Sequence, residues 1–248
     1  VIIYSEPTSP MKHTHDALEK VFVTTQYGIP TLYTPGMIMG GTSPATIAGS
    51  LAVGFADTFV GLVINQLLKP GAPFMGGTSG TPLEMTTMQT PYGDPTTSLL
   101  LGCSNEILQY LGIPSFDMAG STEAKVVDAQ AGIEASMQVM ISLLTGGNLV
   151  HDAGFMDIGQ LGSLTMLTVC NEIIGLAKRY TDGVEIDDAR IGLEYIDEVG
   201  PGGNFLTSEH TMEYFRSEFY MPELSERRAY EAWENDGALT MEQRAERK

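Results

Sequence analysis

Short apolar runs alternate with long helical patterns over the first 180 residues, and the pairing recurs about every 35 to 40 residues, the spacing of βα units. The runs at 1–5, 30–34, 73–77, 113–119 and 148–153 are short and apolar enough to be strands buried in a parallel sheet. Helical patterns follow them at 13–27, 43–68, 96–111, 128–144 and 159–180. Gly28, Gly71, Gly112 and Gly146 or Gly147 fall between a helix and the next strand, where a left-handed cap is wanted, so the αβ returns are short. Thr42-Ser43-Pro44 places a hydroxyl ahead of a proline, a helix-start pattern. The same Gly-Thr-Ser-Pro turn is also of a kind that holds an anion, but plain capping is its commoner use.

The connections after the strands, at 6–10, 35–42, 78–95, 120–127 and 154–158, are by contrast long and polar. In a βα barrel such loops build the C-terminal face, where active sites lie. The pattern predicts the α/β class and a (β/α)8 TIM barrel over residues 1–181, with about five of the eight βα units present. Because the sequence opens inside a strand pattern with no helix or cap before it, the remaining units are expected upstream and the barrel is read as incomplete. A doubly wound sheet of five strands is the alternative. Residues 182–248 are far more charged and space Ile191, Leu193, Tyr195, Phe215, Phe219, Leu224, Tyr230 and Trp233 among polar positions. They predict a helical C-terminal extension packed on the barrel, broken at Met221-Pro222-Glu223-Leu224.

Charge narrows the partners. With 13 Lys and Arg against 31 Asp and Glu, the formal net charge is −18 and no basic cluster exists to meet phosphates, so nucleic acid is not expected. The apolar stretch 47–68 is interrupted by Ser50, Asp57, Asn65 and glycines, which predicts a buried helix rather than a membrane span. Val1-Ile2-Ile3-Tyr4 has no basic region or cleavage site of a signal peptide, and a cytoplasmic location is expected. Cys103 and Cys170 sit in apolar helical patterns with no ligand spacing, so they read as inert thiols and no metal site is predicted. Phosphate-cradling glycine motifs, a zinc-protease helix and a Gly-x-Ser-x-Gly elbow are all missing from the sequence, which argues against phosphoryl transfer, hydride transfer and serine hydrolysis.

What remains is a set of side chains at predicted strand ends. His151 closes the fifth strand and either faces the barrel mouth or is a hydrogen-bonded core histidine, whereas His13, His15 and His210 read as surface residues. Lys125 follows the fourth strand and is placed to meet a substrate carboxylate or to pair with Asp128. Tyr4, Tyr33, Phe74, Tyr92, Phe116 and Phe155 offer rings for a quaternary ammonium cage, with about two or three of them expected to face a ligand and the rest to pack. Glu6 is placed either to balance a bound cation or to cap the first helix.

Several motifs resemble one family. Glu6-Pro7-Thr8-Ser9-Pro10, Tyr33-Thr34-Pro35-Gly36 leading into Gly40-Gly41-Thr42-Ser43-Pro44-Ala45-Thr46-Ile47-Ala48-Gly49, Gly120-Ser121-Thr122-Glu123-Ala124-Lys125-Val126-Val127-Asp128, Asn171-Glu172-Ile173-Ile174-Gly175, and Phe215-Arg216-Ser217-Glu218-Phe219-Tyr220-Met221-Pro222-Glu223-Leu224 with Tyr230-Glu231-Ala232-Trp233 are similar to trimethylamine methyltransferases. The resemblance covers essentially the whole chain. It implies a TIM barrel about twice this length. It also implies transfer of a methyl group from a small tertiary or quaternary amine to the Co(I) of a corrinoid (cobalamin) held by a separate cognate protein. Founding members carry pyrrolysine near the fourth loop, whereas residues 117–123 here are all standard. The resemblance therefore points to the non-pyrrolysine members and to glycine betaine. A betaine-binding or scaffolding relative without catalysis is the alternative, and the sequence leaves homo-oligomerisation open.

Overall fold

The computed structural model describes residues 1–248. Along the chain lie β1 (Ile3–Ser5), α1 (His15–Tyr27), β2 (Thr31–Tyr33), β3 (Gly36–Met39), α2 (Ile47–Leu68), β4 (Phe74–Gly76), β5 (Ser79–Pro82), α3 (Pro95–Tyr110), β6 (Phe116–Met118), α4 (Ala129–Thr145), β7 (Leu149–His151), β8 (Phe155–Met156), β9 (Leu161–Gly162) and α5 (Leu164–Thr181). Five short helices follow: α6 (Asp188–Ile191), α7 (Leu193–Val199), α8 (Glu209–Glu218), α9 (Tyr230–Asn235) and α10 (Met241–Glu246).

Each predicted strand forms. β1, β2 and β4 pair in parallel in chain order, a parallel bridge from Gly76 to Ser115 leads on to β6, and β6 pairs in parallel with β7. The order never reverses, as a doubly wound sheet requires, so that alternative is not the one found. Consecutive helices pack on one another from α1 through α5, as right-handed crossovers in a sequential sheet demand. The sheet is also strongly curved. Tyr4 on β1 and Phe116 on β6 are separated by β2 and β4, which in a flat sheet would hold them about 14 Å apart, yet their ring centroids lie 5.8 Å apart. Two of the expected loops hold further strands, since β3 and β5 continue the β2–β4 ladder beyond its C-terminal end.

Several boundaries differ from the sequence expectation. α1 starts at His15 under a Thr14 cap, and His13 is turned inward, its Nδ1 2.7 Å from the Tyr33 hydroxyl and its Nε2 3.5 Å from buried Asp57. His210 likewise is no plain surface residue, for its ring meets Tyr195 and Tyr214 and its Nε2 reaches the Arg190 carbonyl. α2 starts at Ile47 under Thr46, because the Ile38 carbonyl draws in the amides of Gly41, Thr42 and Ser43 and holds that stretch in a turn. Residues 155–162 form the β8–β9 hairpin, so α5 begins only at Leu164.

α2 inverts the usual sense of an amphipathic helix. It is long and apolar enough to cross a bilayer, with a mean hydropathy of 1.9. Here, however, it packs on the strands and turns Ser50, Asp57, Thr58 and Asn65 inward, leaving Val63 and Leu67 exposed. The buried polar groups find partners: Thr58 Oγ1 donates to the Gly77 carbonyl at 2.6 Å, Asn65 Nδ2 donates to Thr25 Oγ1 at 2.8 Å, and Asp57 accepts from Ser9 Oγ at 3.1 Å. Bulk comes from the sheet instead, where Tyr33 fills the space over Gly61; a Cβ there would lie 2.3 Å from the ring. Gly61→Ala, a change worth about 1 kcal/mol in an open helix, is therefore expected to destabilise by about 1–3 kcal/mol through overpacking. Urea denaturation checks this, and an unchanged or raised midpoint would mean that the tyrosine yields.

The C-terminal segment docks by fewer contacts than its apolar spacing suggested. Leu224 and Ala245 join the core of Met156, Met166, Val169 and Cys170, and α10 lies against α5. Ile191, Leu193, Phe219 and Tyr230 remain exposed. The break at Met221-Pro222-Glu223-Leu224 is pinned by buried Glu172 of α5, which accepts the amides of Glu223 (3.0 Å), Leu224 (3.3 Å) and Ser225 (3.1 Å) and the Ser225 hydroxyl (2.7 Å). Burial by itself would raise the Glu172 carboxyl, but these hydrogen bonds together hold it below the usual carboxylate range.

Candidate functional site

The concave face of the sheet and the loops after its strands enclose a cavity of about 420 Å³. Every wall comes from a strand or the chain just beyond it: Tyr4 and Glu6 from β1, residues 36–38 and 79–81 from β3 and β5, Thr90 and Tyr92 from the next loop, Phe116 and Met118 from β6, His151 and Asp152 from β7, and Phe155 and residues 158–160 from the hairpin. In a parallel sheet, ligands bind at this end.

Rings and carboxylates dominate the lining. The Phe116 ring stacks on His151 with centroids 4.2 Å apart and planes 11° from parallel, and Tyr4 meets Phe116 at a tilt of 59°. His151 Nδ1 lies 2.5 Å from Asp152 Oδ1, a contact made by Asp152 in a left-handed backbone conformation at φ 76°. The Tyr4 hydroxyl donates to Glu6 Oε2 at 2.9 Å. Burial, then the charge and hydrogen bond of Glu6, push the Tyr4 phenol well above its ordinary range. Burial, then the charges of Asp152 and Glu6, raise Tyr92 as well. Both phenols thus stay neutral hydrogen-bond donors. Glu6 and Asp152 are the acidic side chains of the lining, and no Lys or Arg belongs to it.

The fourth-loop signature ties the rim together. Glu123 accepts the amides of Tyr92 (2.5 Å) and Gly93 (2.9 Å), fixing the long β5–α3 loop that carries the Tyr92 ring. Burial raises the Glu123 carboxyl, the neighbouring Glu134 adds to the rise, and the two amides work against it. Gln138 bonds to both the amide and the carbonyl of Ser121, so α4 holds the start of the same loop.

Of the residues singled out from sequence, Glu6, Tyr92, Phe116, His151 and Phe155 meet in this cavity, and so does Tyr4. Glu6 caps no helix. Tyr33 and Phe74 lie elsewhere, in the helix-facing core with Ala17 and Val21, because strand alternation turns them away from the concave face. Lys125 also lies outside the lining, and its partner is Asp157 rather than Asp128: its Nζ is 2.8 Å from Asp157 Oδ1 and donates to the Glu123 carbonyl at 2.6 Å, while Asp128 caps α4. Asp152, Met37, Met118 and the 79–81 wall were not anticipated. Asp152 adjoins His151 in sequence, but its role depends on a left-handed turn; the two methionines look like ordinary core positions until the curvature is known.

Fold and site together define an α/β protein of consecutive βα units with a small-molecule cavity at the carboxyl ends of its parallel strands. The chain belongs to the trimethylamine methyltransferase family, whose model matches residues 1–248. It is 32% identical over 238 residues to the glycine betaine methyltransferase of Desulfitobacterium hafniense (strain Y51), covering 96% of this chain and 50% of that one. It is 31% identical over 235 residues to the trimethylamine methyltransferase MttB of Methanosarcina thermophila, covering 94% and 48%. The chain thus spans about half the length of the curated relatives it matches. The crystal structure of the hydroxylamine MtmB complex shares its fold with a TM-score of 0.51 at 17% identity, over 74% of this chain and 37% of the other.

Proposed function

We propose that the cavity holds a quaternary amine and presents one of its methyl groups to the Co(I) of a corrinoid carried by a cognate partner protein, in the cytoplasm. The relatives' names and the family resemblance support methyl transfer, and among quaternary donors they point to glycine betaine. The observation that carries the reading is a cavity lined by Tyr4, Tyr92, Phe116 and Phe155 together with Glu6 and Asp152. Ring faces and carboxylates attract a permanent cation, and partial desolvation strengthens both attractions.

The lining also suits a nucleophile brought from outside. Neither cysteine reaches it, and burial pushes the Cys170 thiol up to about 11, so it stays protonated. A Co(I) corrinoid brought by the partner would supply the nucleophile for the methyl carbon, and the nitrogen would keep the pair of the bond that breaks and leave as a neutral tertiary amine. The chain's own task is then to bind the cation, aim a methyl group and exclude water. The stacked Phe116 and His151 rings, with His151 held by Asp152, give a rigid wall for the aiming. We further infer that the sequential, curved parallel sheet is an arc of a (β/α)8 barrel and that residues 182–248 are an extension packed on it.

The test is optical. The full-length protein, given glycine betaine and free or protein-bound cob(I)alamin, is expected to form methylcobalamin. His151→Ala should slow this by about tenfold or more while leaving the melting temperature nearly unchanged. Failure to form methylcobalamin with any of a panel of quaternary amines would favour the binding or scaffolding relative. A sharp fall in melting temperature with normal turnover would make His151 a core residue.

A further inference from the structure

Residues 83–94 join β5 to α3 without regular structure, yet they bring a ring into the cavity, that of Tyr92. The loop after β6 holds it there. Glu123 Oε1 accepts the amides of Tyr92 (2.5 Å) and Gly93 (2.9 Å), Gln138 Nε2 donates to the Tyr92 carbonyl at 3.4 Å, and Thr97 Oγ1 donates to the Pro91 carbonyl at 3.2 Å. Glu123 is itself fixed from α4, where Glu134 Oε2 accepts its amide at 2.9 Å and the Thr122 hydroxyl at 2.5 Å. A Cβ on Gly93 would lie 2.5 Å from Glu123 Oε2 and 2.7 Å from Glu134 Cδ. Gly93 has no left-handed backbone that would call for glycine, so the close approach of these carboxylates is what requires it. On its other side the same loop grips the β8–β9 hairpin: the Thr122 amide donates to the Phe155 carbonyl at 3.0 Å, and Lys125 pairs with Asp157. The loop thus brackets the two segments that carry Tyr92 and Phe155, whose rings both lie against Gly159. Every one of these contacts is internal to the chain, and residues 120–127 contribute nothing to the cavity lining themselves.

We propose that Glu123 is a positioning residue of this site, which aims the Tyr92 ring at the bound ammonium while its loop sets the gap between Tyr92 and Phe155. This rests on the function proposed above. A ring attracts a cation only when the cation lies over its face within about 6 Å, and a loop without regular structure keeps such an aim only if its main chain is tied down. Glu123 supplies that tie with an acceptor rather than with its charge: Oε1 takes both amides, and Oε2 merely shares the Gly93 amide at 2.9 Å. A glutamine can therefore do the same work, with its Nε2 turned toward Glu134.

Calorimetry with glycine betaine and tetramethylammonium on the full-length protein tests this as a double-mutant cycle. Glu123→Ala is expected to weaken both ligands about fivefold or more, as Tyr92→Leu does. Once Tyr92 is replaced, Glu123→Ala should cost less than about twofold, because its effect runs through that ring. Glu123→Gln should stay within about twofold of wild type. Gly93→Ala, which displaces the carboxylate without removing it, should repeat both the loss and its dependence on Tyr92, and it carries the test should Glu123→Ala fold poorly. Losses that multiply in the double variants would mean a general loosening and overturn the positioning role, as would a glutamine variant as weak as the alanine one. Either result leaves the methyltransferase reading intact. Binding of neither ligand by the wild-type protein would remove both.

Discussion

Glu172→Ala is expected to lower stability by about 3 kcal/mol, since the substitution strips a buried acceptor from three backbone amides and a hydroxyl. For a chain of this size that corresponds to a drop of about 6–12 °C in melting temperature. The loss should begin at the C-terminal segment: amides near Leu224 and Ser225 should exchange faster than those of β2 or α4, because Glu172 is the tie between α5 and the break in the extension. The sign of the pH dependence follows from the lowered carboxyl. Its stabilisation is fully present above the unfolded glutamate value of about 4.3 and is lost as the pH falls through the lower folded value. The difference between wild type and Glu172→Gln should therefore be full near neutrality and shrink below about pH 4. Thermal melts of the two proteins across that range measure it, and a constant difference would show that the anionic form of Glu172 contributes nothing.

The second large effect concerns the ligand's charge. An uncharged tert-butyl isostere of a trimethylammonium ligand has nearly the same shape and should bind about tenfold to several hundredfold more weakly, at roughly 0.5–2 kcal/mol for each of two ring contacts. Moderate salt should leave most of this preference, because a desolvated cation between rings is screened less than an exposed ion pair. Phe116→Leu keeps apolar bulk but removes the ring shared with Tyr4 and His151, and should erase part of the preference. Equal calorimetric affinity for ammonium and isostere would remove the aromatic cage and leave the donor class resting on relatedness.

Local patterns made the five strands and their order along the chain legible, because a strand buried on both faces needs an unbroken apolar run and each helix between them needs its own length and cap. They also brought out His151 and Glu6, polar groups standing at the ends of such runs, and the aromatics around them. Which aromatics face a ligand was not legible: Tyr33 and Tyr4 both sit in strand patterns, and strand register, one residue of alternation, sends one under Gly61 and the other into the cavity. The same holds for α2, where composition announces an apolar helix but contact with Tyr33 and the strand-end carbonyls decides that its polar side turns inward. The pairing of Lys125 with Asp157 rather than Asp128 was not legible either, since Asp157 lies on a hairpin that the helical pattern at 159–180 conceals. The sequence by itself determined which segments become strands and helices and which chemical groups stand at their ends, for these depend on neighbours in the chain. Only the tertiary structure decided that Glu6 and Asp152, far apart along the chain, share one cavity, because the curvature that brings β1 to β6 and β7 is a property of packed strands and of no single segment.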